Sequence, residues 1–122
     1  MTVKVKRVYD VPARSDGRRV LVDRIWPRGL SKEDANLDAW LKDLAPSAEL
    51  RKWFGHDPSK WSAFKRKYFR ELDQHASVIE QLLTSPRRTT TLLFAATDRE
   101  HNNAVALKEY LEKQHSGLPQ PS

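Results

Sequence analysis

Two stretches decide the fold: Val20-Leu21-Val22-Asp23-Arg24-Ile25-Trp26-Pro27-Arg28-Gly29 and Thr90-Thr91-Leu92-Leu93-Phe94-Ala95-Ala96-Thr97-Asp98. Each opens as a short, continuous apolar run with β-branched residues. That is the pattern of a strand covered on both faces, whereas a half-exposed strand would alternate. Each then breaks into charged and turn-forming residues. The first run is expected to continue through Ile25 and Trp26 before Pro27 and Gly29 end it, and the two are expected to lie side by side and parallel.

Working outward, residues 3–9 alternate with period two (Val3, Val5, Arg7 and Tyr9 against Lys4, Lys6 and Val8), which predicts a further strand. Ser15, Asp16 and Gly17 mark a loop over residues 12–18. Ser31 suits a helix N-cap, with Glu33 and Asp34 in the favoured acidic first turn. Residues 38–45 read either as a helix face through Trp40, Leu41 and Leu44 or as a short extended piece before Pro46. Ser47 starts a short helix that Gly55 closes. Asp57 and Pro58 then open the clearest helix, with Trp61, Phe64, Tyr68 and Leu72 on one face and Lys60, Lys65, Lys67 and Arg70 on the other. A helix near residues 77–83 should stop at Pro86, and a last one should begin at Asn102 or Asn103. Strands alternating with helices predict a helix-rich α/β fold: a small, largely parallel sheet with helices packed on both faces. One domain should span residues 1–115, leaving 116–122, with Gly117, Pro119 and Pro121, as a flexible tail.

Composition narrows the function. The chain has 122 residues with a net charge of +6. A chain of this length buries enough surface to fold without disulfide or metal. It has no cysteine, which removes disulfides, thiolate metal sites and cysteine nucleophiles together. With no apolar run of membrane-spanning length and no signal-like start, a cytoplasmic location is expected. Basic blocks at residues 1–30 and 51–75 flank an acidic one at 31–50, so charge should be segregated on the surface. No phosphate-binding glycine loop, dinucleotide fingerprint or nucleophile elbow is present, and no cofactor is expected.

Chemistry is expected where the two buried strands end, because open α/β sheets place ligands at the carboxyl ends of their strands. Asp23, following three apolar residues, should be part-buried and paired with Arg24 or Arg28. Arg24 and Arg28, beside a glycine turn, form a plausible clamp for phosphate or carboxylate. Of the two, Arg28, in a loop after Pro27, is read as a ligand contact. After the second strand, Asp98, His101 and Asn102 open the last helix. Asp98 and His101 are either acid–base groups or simply a cap and a solvated first-turn residue. Imidazole exchanges protons near neutrality. Lys42, Asp43 and His56 could reach the same cleft from the intervening segment. His56, Asp57, Asp98 and His101 have acceptable metal-ligand types but no metal-site spacing, and no metal is assigned.

These clusters together resemble a known family, the YeaO-like branch of the domain of unknown function 488. The matching strings are Arg7-Val8-Tyr9-Asp10, Arg19-Val20-Leu21-Val22-Asp23-Arg24-Ile25-Trp26-Pro27-Arg28-Gly29-Leu30-Ser31-Lys32, Trp40-Leu41-Lys42-Asp43-Leu44-Ala45-Pro46-Ser47, Leu50-Arg51-Lys52-Trp53-Phe54-Gly55-His56-Asp57-Pro58 and Glu100-His101-Asn102. The resemblance implies a small α/β fold of bacterial or archaeal cytoplasmic origin. It supplies no reaction. The wider family often carries Cys-His-Arg after the late strand. Here that place reads Glu100-His101-Asn102, so cysteine-dependent chemistry does not transfer.

The reading that gathers most of these residues is a protein that binds, and could act on, a small anionic ligand. Asp23, Asp98 and His101 would hold acid–base roles, and Arg24, Arg28, Lys42, His56 and Asn102 would bind. The alternatives are a nucleic-acid module using the basic face at residues 60–70, and an interaction domain without chemistry. Under the favoured reading Arg28 and His101 must share one concave pocket.

Overall fold

The computed structural model describes residues 2–84 and 87–114. Strands β1 (Thr2–Arg7), β2 (Arg18–Leu21), β3 (Ala39–Trp40) and β4 (Thr89–Phe94) form one sheet in the order β1-β4-β2-β3, parallel throughout. The two apolar runs are therefore parallel neighbours, with Val20 opposite Leu92 and Leu21 opposite Leu93. The helices are α1 (Lys32–Ala35), α2 (Ala48–Phe54), α3 (Trp61–Leu72), α4 (Ala76–Leu83) and α5 (Asn103–Gln114). The expected stop at Pro86 and the tail at 116–122 lie outside the described residues.

Alternation along β2 and β4 splits the core into two layers. Val20, Val22, Leu92 and Phe94 face the larger one, with Leu50, Phe64, Tyr68, Leu82 and Leu107 from α2–α5. Leu21 and Leu93 face a smaller one with Val8 and Ala35, edged by Trp26, Leu30 and Trp40. Helices thus cover both faces, but unequally: the second is closed by the single turn of α1 and by the loop after β2. Residues 38–45 are both things the sequence allowed, the two-residue strand β3 and then a 3₁₀ turn at Lys42–Leu44.

Strand β2 is shorter than its apolar run. It ends at Leu21, and Ile25 is 62% exposed. The cause is the loss of neighbours: β3 ends at Trp40 and β4 at Phe94, so beyond Val22, whose N–H still reaches the Leu93 carbonyl at 3.1 Å, no strand remains to pair. Helix starts follow the expected caps. Ser31 Oγ accepts from the Asp34 N–H and Ser47 Oγ from Leu50. Ser47 is in turn held by Glu71 of α3, through its N–H at 2.8 Å and its hydroxyl at 2.7 Å, which fixes α2 to α3. Asp57 caps a 3₁₀ turn, Pro58–Lys60, that leads into α3. Lys65, expected on a solvated face, is half-buried and bonded to Glu109 of α5 at 3.0 Å, because α5 packs along that side of α3.

The amino end of the sheet is closed by a buried charge network. Arg19 is 2% exposed and Asp16 5%. The Arg19 guanidinium bonds Asp16 Oδ2 and donates to the carbonyls of Asn36 (2.9 Å) and Ala35 (2.8 Å), and Lys6 adds a second cation at 3.1 Å. Burial pushes the Asp16 carboxyl up, but the Ala13 N–H, Lys6 and Arg19 outweigh it and hold it below the usual range. Gly17 lets the chain entering β2 pass against Thr89 of β4: at φ +64° and ψ −132° it lies where side chains are rarely tolerated, and a Cβ there would stand 2.2 Å from the Thr89 carbonyl oxygen. Gly17→Ala should therefore cost ~3 kcal/mol in denaturant unfolding. Gly29→Ala, at φ +75° with nothing within 4 Å, should cost only the ~1–2 kcal/mol of left-handed backbone. Equal costs at the two positions would refute the close-approach account.

Candidate functional site

The chain leaving β2 crosses one face of the sheet to α1, and the chain leaving β4 crosses the other to α5. Adjacent parallel strands whose connections diverge in this way leave a crevice between their carboxyl ends. A cavity of ≈ 650 Å³ lies there. Asp23–Arg28 and Tyr9 line it from the ends of β2 and β1, Ala95, Ala96 and His101–Asn103 from the end of β4, and Arg51, Lys52, Phe54 and His56 from the α2 side.

Arg28 and His101 thus share one concave pocket, together with Asp23, Arg24, His56 and Asn102. Lys42 and Asp43 are not part of it. Lys42 lies with its ammonium 4.0 Å from the Trp40 ring centre, directed there by the 3₁₀ turn it begins. Asp98 stands behind the pocket wall. Its Oδ1 accepts from the Glu100 and His101 N–H groups at 2.9 and 3.0 Å, and its Oδ2 lies 3.0 Å from His101 Nδ1. These N–H bonds hold its carboxyl below the usual range. Its part is to orient the imidazole, whose ring also meets Trp61 edge-on at 5.3 Å. Of the two readings open for Asp98, the cap of the last helix does not hold: Asn102 caps it, its Oδ1 accepting from Val105 N–H while its Nδ2 donates to the Asp98 carbonyl. Asn102 therefore borders the cavity with both ends of its amide already engaged. Among the described residues no three metal-ligating carboxylates or imidazoles converge, so His56, Asp57, Asp98 and His101 form no common group.

The expected Asp23–arginine pair is also corrected. Asp23 Oδ2 accepts from the Ala95 N–H at 2.9 Å, and the Asn103 amide beside it donates to the Val22 carbonyl at 2.8 Å. Parallel pairing brings the first free amide after β4 directly beside the residue that follows Val22, so a backbone donor takes the place intended for a guanidinium. Burial pushes the Asp23 carboxyl up, against the Ala95 hydrogen bond, the neighbouring Asn103 amide and the field of Arg51. Arg24 and Arg28 are left exposed, and among the described residues neither guanidinium has a hydrogen-bond or ion-pair partner.

The loop carrying them is nonetheless fixed. Tyr9 Oη donates to the Arg28 carbonyl at 2.8 Å, Trp26 Nε1 to Leu30 at 2.6 Å and Trp40 Nε1 to Asp23 at 2.7 Å. The two indoles also meet edge to face at 5.3 Å, and Pro27 is buried. Backbone order with free cationic heads is the arrangement a binding loop needs. Arg51, Lys52, Tyr9 and Asn103 are pocket residues the sequence reading missed. Arg51 and Lys52 look like solvated helix residues in sequence and stay exposed, and only the packing of α2 beside the strand ends puts them on the border of the cavity. His56 is set by geometry too, since Gly55 and His56 adopt successive left-handed conformations (φ +54° and +57°) that end α2.

A family model described as the inactive DUF488-N3 subclade matches residues 2–119. The chain belongs to that family. Among relatives of this DUF488 member, the uncharacterised protein YeaO of Escherichia coli K12 is 41% identical over 112 residues, covering 91% of this chain and 97% of its own length. The uncharacterised protein Rv3073c of Mycobacterium tuberculosis H37Rv is 39% identical over 109 residues, 89% of this chain and 92% of its own. No solved structure matches the DUF488 chain significantly. No helix among its described residues is long and apolar enough to cross a membrane.

Asp23 gives a signed prediction. Its folded pKa is raised, so its contribution favours folding below the unfolded value near ~4 and is lost as pH rises through the folded value. Asp23→Asn keeps an oxygen for the Ala95 N–H and removes that loss. It should melt higher than wild type at pH 7, by up to ~1 kcal/mol, with the advantage vanishing near pH 3. Paired thermal melts across pH 3–8 check this; a variant less stable at pH 7 than at pH 3, relative to wild type, would contradict it.

Proposed function

We propose that the protein binds a small anionic ligand in the cavity at the strand ends and does not turn it over. The observation that carries this is a set of cations without counter-charge. Arg24, Arg28 and Lys52 have no carboxylate partner among the described residues, and Arg51 meets only the field of Asp23. At the other end of the sheet the opposite holds, with Lys6 and Arg19 satisfied by Asp16. Unpaired guanidinium groups around a concave site, on a loop whose backbone is already ordered, suit phosphate or carboxylate. Asp23 and His101, with its Asp98-oriented ring, supply polar contacts within the same walls.

Binding without turnover is supported by the description of the matched family model as inactive and by the lack of cysteine. The test is an amide-resolved NMR titration with inorganic phosphate and acetate. Shifts should concentrate at Arg28, Ala95, Ala96 and Asn103. Arg28→Ala should weaken binding by about tenfold while changing stability within ~0.5 kcal/mol. Shifts scattered over the surface, or an Arg28→Ala protein that binds as wild type does, would remove the proposal.

One observation favours a second reading. Trp53 is 38% exposed, and Lys60 and Lys67 each place an ammonium 5.1 Å from its ring centre, beside the exposed Arg66 and Arg70. A cationic face with an accessible aromatic is what single-stranded nucleic acid uses. Lys67→Glu combined with Arg70→Glu should leave the fold intact and, under the favoured reading, leave cavity binding unchanged. If wild type retains an oligonucleotide with a steep salt dependence that this double variant loses, the helix face is the functional one.

A further inference from the structure

We infer that the ligand is a flat aromatic ring bearing a carboxylate or phosphate; this rests on the anion-binding reading and adds a body to the charged head. Size comes first. A cavity of ≈ 650 Å³ is the size that encloses a whole organic molecule, and a bare inorganic anion would leave most of it as water. The space exists because alanines, Ala45, Ala48, Ala95 and Ala96, line it where larger side chains would fill it.

The composition of the wall comes next. Phe54 and Phe64 lie 4.5 Å apart, and the His56 ring is 6.5 Å from Phe54. Phe54, Phe64, His56 and His101 all border the cavity, Phe54 and Phe64 as buried core side chains and His101 joined to Phe54 through Trp61, so aromatic rings from three elements meet its wall. Ring–ring contact adds to simple area burial, while the guanidinium groups of Arg24 and Arg28 take the anion through their N–H groups. An aliphatic acid of equal charge would satisfy the cations but leave the rings without a matching partner. A nonpolar ring would satisfy the wall but leave the cations unpaired.

The experiment is calorimetric titration with phenyl phosphate, butyl phosphate, inorganic phosphate and phenol, repeated with benzoate and hexanoate. Phenyl phosphate should bind about tenfold more tightly than butyl phosphate, benzoate should exceed hexanoate similarly, and phenol should not bind measurably. His56→Gly suits the left-handed backbone at that position (φ +57°) and removes one ring, so it should fold and narrow the phenyl-to-butyl ratio. Arg28→Ala should weaken both esters together and leave their ratio unchanged. If butyl and phenyl phosphate bind equally, the aromatic body is wrong and the anion site stands. If no anion binds, both readings fall.

Discussion

Parallel pairing of β2 with β4 constrains almost everything else in this chain. Both strands are buried on two faces, so their ladder cannot slip without turning core residues toward solvent. Once it is set, the loops that follow the two strands leave from the same edge and diverge to opposite faces. A crevice at that edge is then unavoidable. The Ala95 N–H, left free where β4 stops, needs an acceptor, and the residue that the register brings beside it is Asp23. The carboxylate in the pocket wall is thus first a consequence of sheet geometry.

The two ends of the sheet handle charge in opposite ways. At the amino end Asp16, Arg19 and Lys6 form a closed set, with the remaining guanidinium N–H groups on backbone carbonyls. Breaking such a set leaves a buried charge unpaired, which is why it serves architecture. Around the cavity at the carboxyl end Arg24, Arg28, Arg51 and Lys52 outnumber Asp23, the one carboxylate among the described lining residues, and that carboxylate is held by a neutral backbone donor. Surplus positive charge costs stability through self-repulsion unless solvent or a ligand screens it. The molecule keeps its surplus where the walls are already concave.

Much of this was legible in the residues. Continuous apolar runs announced β2 and β4, and the helix caps at Ser31 and Ser47 follow from side-chain chemistry confined to three or four residues. The grouping of Arg24, Arg28, His56 and His101 around one space could be anticipated because α/β sheets put loops at one edge. What escaped the sequence reading depends on contacts distant in the chain. Asp23 was assigned an arginine because Arg24 is next to it, whereas its partner, Ala95, is 72 residues away. Arg51 and Lys52 carry no local mark distinguishing them from other helix cations. Lys42 looked like a pocket residue until the turn it starts directed it onto Trp40. The end of β2 was misplaced because Ile25 and Trp26 are good strand residues, and nothing near them reveals that both neighbouring strands have already stopped.

The three aromatic donors that grip the loop after β2 have a kinetic meaning. Tyr9, Trp26 and Trp40 hold the carbonyls of Arg28, Leu30 and Asp23, so the loop is ordered as part of folding. A ligand arriving at such a surface waits for no segment to fold around it. Its rate of capture is then set by diffusion and by the long-range pull of the exposed guanidinium groups, which weakens as ions accumulate around them. For the anionic ligand proposed above, arrival would be indiscriminate among anions, and discrimination would reside in how long each one stays.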